Sequence, residues 1–447
     1  MGQDKSKRFQ TILLVIFGAF LMLGILVFSG WVPIGRSNQT QELAGNLTIW
    51  GTMPKTFFQQ SIETLEDENG GLSITYVEKS QASFDDELVE AIATGVGPDL
   101  FVMPHDQIAK QQNKVYITPY TSYPKQTFQA QYIDVADVLL SDLGVLGFPL
   151  LVDPLVMYYN KNLLNDKFIL EPPTTWGDFY DFSEKITDAQ TISIDLAAVA
   201  LGSYDNITNS KALLSAMFLQ TRNPITAVRG RQYIGTLIND YTTQRDFTAQ
   251  TVEFYTSFTN PTLTHYSWNV GMPNDKQAFL AEGLSVYFGF ASEARDFVRI
   301  NPNLNLGVAL LPQFPDQPKA TFAKLQVFAI NKQTRNLGLA FQTAQQLTGT
   351  RFGLGLSRGL QLPPVFVNYL VTQPSDADYM QTFYNSAIIA RTWLDPDPDT
   401  TSSALRRMIQ DVNAGILGAE SAVVRANQAI TESFPRSTFE LNAEPIF

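Results

Sequence analysis

From residue 47 onward the chain switches between an apolar period near two and one near 3.6. Residues 47–50 (LTIW) alternate as a strand. Residues 56–69 carry helical spacing that closes on Gly70 and Gly71, where a left-handed backbone suits glycine. Residues 72–77 alternate again. Ser83 then precedes an acid-opening helix over 85–94 that ends at Gly95 and Gly97, and after Pro98 residues 99–103 (DLFVM) predict a buried strand. Strand, helix, strand, helix, strand in this order predicts a parallel, right-handed α/β layer. Further on, helical spacing covers 176–186, 210–220, 278–284 and 337–347, and strand-like runs cover 155–159, 284–290, 306–310 and 325–330. Residues 404–433 close the chain as a helical pair broken at Gly415 and Gly418. No repeat of about 20–50 residues is present, which excludes a solenoid.

The amino terminus follows neither period. Between Arg8 and Arg36 there is no charge, and residues 12–28 read ILLVIFGAFLMLGILVF. As a helix at about 1.5 Å per residue, 11–34 spans roughly 36 Å, enough for a hydrocarbon core. Lys5, Lys7 and Arg8 predict a cytoplasmic segment over 1–10, and Trp31 falls where an interfacial ring is expected. The apolar run is longer than a signal-peptide core of about 7–15 residues, and no A-x-A site follows it. Val27-Phe28-Ser29 is a permissible cleavage point, but an uncleaved membrane anchor is the expectation. Polar residues 35–45 then read as a stalk to a domain outside the cell or in a periplasm.

Composition narrows the chemistry. A length of 447 residues fits two or three domains or one bilobal unit. The absence of cysteine excludes disulfides, thiol nucleophiles, Cys-rich zinc sites and lipidation at cysteine. With only His105 and His265, a multi-histidine metal centre is not expected, and no P-loop or His-Glu-x-x-His motif is present, so no cofactor or metal is assigned. Residues 1–36 carry +3; the rest, with 27 basic and 42 acidic side chains, carries −15 and would repel nucleic acid. Residues 353–357 (GLGLS) lack the nucleophile-elbow pattern and read as a loop; residues 395–399 (DPDPD) lack a calcium-loop pattern and read as a solvated loop. The 31 Phe, 17 Tyr and 5 Trp include Trp268 in a polar stretch and Trp393 before the Asp/Pro run. Aromatics beside carboxylates and amides suit sugars, while core packing remains the alternative for each ring.

Several segments in order resemble the extracellular solute-binding proteins of ABC importers, of the maltose-binding-like carbohydrate type. They are residues 47–51 (LTIWG), 91–101 (AIATGVGPDLF), 147–161 (GFPLLVDPLVMYYNK), 172–179 (PPTTWGDF), 279–289 (FLAEGLSVYFG), 303–312 (NLNLGVALLP), 390–396 (ARTWLDP) and 426–430 (ANQAI). The resemblance implies a bilobal periplasmic-binding-protein fold (α/β, type II, maltose-binding-like), preceded by the one N-terminal transmembrane helix. The first lobe would be 45–150 plus 309–347, the second 151–308 plus 348–435, and 436–447 a tail. It implies a monomeric, non-enzymatic protein that closes by a hinge on a small-molecule ligand, a carbohydrate or similar polar solute, for delivery to an ABC importer permease. Matching positions nominate Asp106 and Asp153 as acceptors of sugar hydroxyls, Thr52 and Lys55 as polar pocket residues, and Tyr204, Phe290 and Trp393 as rings, with Trp268 an addition. Residues 321–326 (TFAKLQ) depart from the family's glycine-rich or tryptophan-bearing segment. Two other functions share the same residues: a glycosidase using two carboxylates among Asp106, Asp153 and Asp205, and an anchored sensory or adhesive module.

Overall fold

The computed structural model describes residues 43–434 apart from 190–193, 230–231, 239–246 and 371–378. The expected cytoplasmic segment, the anchor over 11–34, most of the stalk and the tail lie outside the described residues. Among the described residues no helix is long and apolar enough to cross a membrane.

Strand β1 (Ala44–Gly51), helix α1 (Thr56–Glu68), β2 (Gly71–Glu78), α2 (Phe84–Ala93) and β3 (Leu100–Pro104) form the expected layer. β1 lies between β2 and β3 and is parallel to both. α1 buries Phe58, Ile62 and Leu65, one stripe at helical spacing. α2 opens with Asp85, Asp86 and Glu87, whose charges oppose the positive end of the helix dipole. β1 begins three residues before the apolar alternation does, because its main chain pairs in register with β2 from Ala44 opposite Gly71 onward; ladder hydrogen bonds need no apolar side chain.

Next comes β4 (Phe148–Asn160), followed by α3 (Phe179–Ile186), β5 (Ile194–Val199), α4 (Ser210–Gln220), β6 (Leu284–Phe290), β7 (Leu306–Ala309) and β8 (Thr321–Ile330). The chain ends in α5 (Leu337–Leu347), α6 (Thr350–Leu360), α7 (Met380–Ile388), α8 (Pro398–Asn413) and α9 (Ala419–Glu432). One sheet runs β2-β1-β3-β8-β4-β6-β5, with β7 also on β4. β4, at 13 residues, is the hub. Its first half pairs with β8, and its second half pairs with β6 on one side and β7 on the other. Only residues 155–159 of β4 and 325–330 of β8 were expected as strand. The missing parts hold Pro149, Pro154 and a charge in each strand, which obscure the alternation.

Two hydrophobic cores divide this sheet. Val152 is the last β4 residue in the first core and Leu155 the first in the second; on β8 the change falls between Phe322 and Ala323, and near the end between Ala390 and Trp393. At each of these three places the chain crosses between two lobes. Phe352, Val365, Phe366 and Leu370 pack in the first core, while Leu311 and Phe322 pack in the second, so the packing of these residues differs from the boundaries expected at 348 and 309. Residues 353–357 are corrected from loop to the body of α6, where Phe352, Gly353 and Ser357 are buried. Three glycines there lowered the helical signal that tertiary packing restores.

Candidate functional site

A cleft of about 340 Å³ lies where the crossings meet. The first lobe contributes His105 and Asp106, just past β3. The second supplies the loop from Tyr204 into the first turn of α4, with Phe290, Phe322, Trp393, Asp395, Ser402 and Arg406, and Lys324 projects from β8.

His105 fixes one wall. It is 1% exposed, its Nδ1 accepts the Leu325 N–H at 3.1 Å, and Nε2 lies 2.5 Å from Thr392 Oγ1. With Nδ1 accepting, the ring proton belongs on Nε2, which donates to Thr392. Burial pushes the imidazole down to about 4, the Asp106 charge opposing. At neutral pH it is an uncharged tie between β8 and the third crossing, not a proton donor to a ligand. Beside it Asp106 has a buried Oδ1 with no protein partner.

On the opposite wall the charges are spent in pairs. Lys211 on α4 donates to Asp395 Oδ2 at 2.5 Å, to Pro398 O at 2.9 Å and to Thr401 Oγ1 at 2.6 Å, which uses all three ammonium protons. Asp395 is 2% exposed, and burial raises its carboxyl to about 6 against the pull of Lys211. The expectation of a solvated loop at 395–399 is therefore corrected. Asp395 is a buried counter-ion, and Asp397 caps α8 by accepting the Thr400 N–H at 2.8 Å, with Pro398 in the first turn. Arg406 on α8 pairs with Asp205 at 2.9 Å and lies 5.4 Å from the Tyr204 ring, whose hydroxyl meets Ser402 Oγ at 2.9 Å. Lys324 sits 3.9 Å over the Phe290 ring.

The 204–209 loop is braced from behind. Asp275 accepts from Thr208 N–H at 2.9 Å and from its hydroxyl at 2.6 Å, and burial lifts this carboxyl to about 6. Asn209 donates to Tyr287 Oη at 3.0 Å and to Phe288 O and Glu293 Oε1 at 3.1 Å.

Four of the residues nominated from sequence, Asp106, Tyr204, Phe290 and Trp393, are brought together on this cleft. Trp393 shows it little surface, being 4% exposed with its indole N–H on Ser215 Oγ at 3.0 Å. Trp268 is corrected: it is wholly buried in the second core, and its polar neighbour Ser267 is buried with it, its hydroxyl spent on the Val199 main chain. Asp153 is not in the lining; it accepts the N–H and hydroxyl of Ser292 at 3.0 and 2.6 Å, and burial raises its carboxyl to about 6. Thr52 and Lys55 also lie outside the lining, between β1 and α1, where the Lys55 N–H donates to Glu78 at 2.9 Å. Sequence reasoning missed Lys211, Lys324, Asp395 and Arg406. Lys324 lies in the very segment, 321–326, that departs from the family pattern.

Residues 51–350 match the family model described as bacterial extracellular solute-binding protein. Among curated proteins, the galactooligosaccharide-binding protein of Bacillus subtilis (strain 168) is 25% identical over 181 residues, 40% of each chain. The maltotriose-binding protein of Pyrococcus abyssi is 26% identical over 155 residues, 33% of each chain. The chain thus spans two fifths or less of the length of these relatives. Among solved structures, a cyclic alpha-maltosyl-1,6-maltose binding protein from Arthrobacter globiformis superposes with TM-score 0.73 at 14% identity, over 88% of this chain and 100% of that one. A cyclo/maltodextrin-binding protein complexed with maltotetraose gives 0.70 at 15%, over 88% and 98%. These likenesses establish the bilobal maltose-binding-like fold. With two lobes about a shared cleft and a family match over two thirds of its length, the chain belongs to the bacterial extracellular solute-binding proteins.

Proposed function

We propose that this protein captures a small carbohydrate between its lobes and hands it to an ABC importer. The carrying observation is Asp106. A buried carboxylate oxygen without a partner costs about 1–3 kcal/mol or more, and a ligand hydroxyl donated into the cleft would relieve that cost. The rings of Phe290, Phe322 and Trp393 line the same space, giving the mixed apolar and polar wall that suits a sugar. The names of the two curated relatives, both sugar-binding proteins, point the same way.

Capture without bond chemistry fits the charges. Of three lining aspartates, Asp205 is paired with Arg406 and Asp395 with Lys211, which leaves Asp106 without the second free carboxylate that glycoside hydrolysis uses. Residues 11–34 would hold a monomeric domain at the outer face of the membrane, amino terminus inward, in place of a lipidated cysteine that this chain cannot have. The importer permease is the partner this arrangement implies.

The test is thermal melting of the soluble domain with a panel of malto- and galacto-oligosaccharides. A sugar that raises the midpoint is expected, and Asp106→Asn should weaken its binding about tenfold or more, the worth of a hydrogen bond to a charged group. If no sugar shifts the midpoint, the carbohydrate reading is lost.

A further inference from the structure

Six of the residues lining the cleft carry an aspartate, lysine or arginine charge, and four of them neutralise one another. Asp205 pairs with Arg406, and Asp395 pairs with Lys211. Asp106 and Lys324 are left. Both belong to one stretch of wall, because the Leu325 N–H, next after Lys324, donates to Nδ1 of His105, the residue before Asp106. Among the described residues no carboxylate pairs with the Lys324 ammonium, and no acceptor takes a hydrogen bond from it. The carboxylate opposite it in the strand register, Asp153, has one oxygen on the Ser292 N–H and the other on the Ser292 hydroxyl. The ammonium instead sits 3.9 Å over the face of Phe290, a weaker partner than an anion.

Lys324 is exposed in this structure, so water can serve its protons. Lobes that close on a ligand expel that water, and a charge taken out of water needs an opposite charge beside it. A sugar hydroxyl accepts a hydrogen bond but leaves the charge uncompensated. A carboxylate supplies the charge and two acceptor oxygens. Asp106, with its unpartnered Oδ1, still calls for a hydroxyl donor. A uronic acid carries both groups on one ring. A phosphate ester would bring up to two negative charges to a wall that already holds Asp106. The exported body, at −15, repels anions as a whole, so any preference for one must come from a local cation. Lys324 belongs to the segment at 321–326 where this chain leaves the family pattern.

We propose that the cleft selects an acidic sugar, a uronic acid or a short oligosaccharide containing one, whose carboxylate pairs with Lys324 while a hydroxyl donates to Asp106. The inference rests on the carbohydrate reading and adds the chemical class of the sugar.

Isothermal titration with disaccharides of galacturonic and glucuronic acid, each beside its methyl ester, tests this, since the ester keeps the skeleton and removes the charge. Neutral malto- and galacto-oligosaccharides are titrated in parallel. At least one uronate should bind the natural protein about tenfold or more tighter than its ester, as expected for a hydrogen bond to a charged group. That ratio should shrink as salt is raised. Lys324→Met should bring the ratio to about one, and Lys324→Arg, which keeps the charge, should retain most of it. If Lys324→Met does not fold, the ratio in the natural protein and its salt dependence decide. Neutral sugars that bind while no uronate exceeds its ester overturn the acidic class and leave the carbohydrate reading standing. A preference that persists undiminished in Lys324→Met overturns the role of Lys324. If no sugar of either kind binds the natural protein, the carbohydrate reading and this inference fall together.

Discussion

Trp268 stands in a polar run of sequence and is wholly buried, whereas Trp393 stands beside an acidic run and reaches the cleft with only one edge. Neighbouring residues say which side chains surround a ring in sequence, and burial depends on which surround it in space. The difference can be measured. Trp268→Ala removes a ring from a closed core and should lower stability by about 3–5 kcal/mol in denaturant titration. The folded fraction should still bind ligand as before. Trp393→Phe keeps most of the packing, loses the indole bond to Ser215, and should weaken ligand binding several-fold with a smaller loss of stability. If Trp268→Ala abolishes binding while folding normally, its placement in the core is wrong.

Among the elements, the loop from Tyr204 to Asn209 depends on the helix Asp275–Leu280, whose first residue grips Thr208. Asp275 is 2% exposed, and its carboxyl titrates near 6 in the folded protein against an ordinary value of 3.8. Between those values the folded state keeps a proton that the unfolded chain has released. This contribution to stability is therefore complete below pH 3.8 and is lost as pH rises through 6, to the extent of about 3 kcal/mol. Asp275→Asn cannot ionise, so its melting temperature should gain on the natural protein as pH rises from 4 to 7, and the two curves should run parallel above that. A difference independent of pH would refute the assignment. Elements differ in how far sequence revealed them. β1, α1, β2 and α2 were legible because each has one buried face and a clean period, and β3 because it is a short, wholly buried apolar run after Pro98. β4 and β8 were half legible, since a strand that changes lobes midway carries two apolar patterns interrupted at the change by Pro154 or Lys324. Asp106 could be placed because it follows a strand end that matches a family motif. The Lys211–Asp395 pair could not, as its partners lie 184 residues apart and meet only through the packing of α4 against the segment before α8.

At the scale of the whole molecule, the two cores are separate but the sheet is not. β4 and β8 each carry side chains of both lobes, and Lys324 lies opposite Asp153 in the strand register at the change of core. Unfolding one lobe therefore strips half the ladder partners from a strand that continues into the other. Separate domains usually unfold in separate steps, whereas shared strands favour a single cooperative transition. The tryptophans make this testable, because among the described residues Trp176, Trp268 and Trp393 report on the second core and Trp50 alone packs against the first. Tryptophan emission consequently follows mainly the second lobe, and far-ultraviolet circular dichroism follows both. Urea unfolding curves from the two probes should coincide, and Leu325→Ala in the first core should shift both to lower urea by the same amount. An emission curve that stays in place while the dichroism curve moves would mean that the lobes unfold independently despite the strands they share.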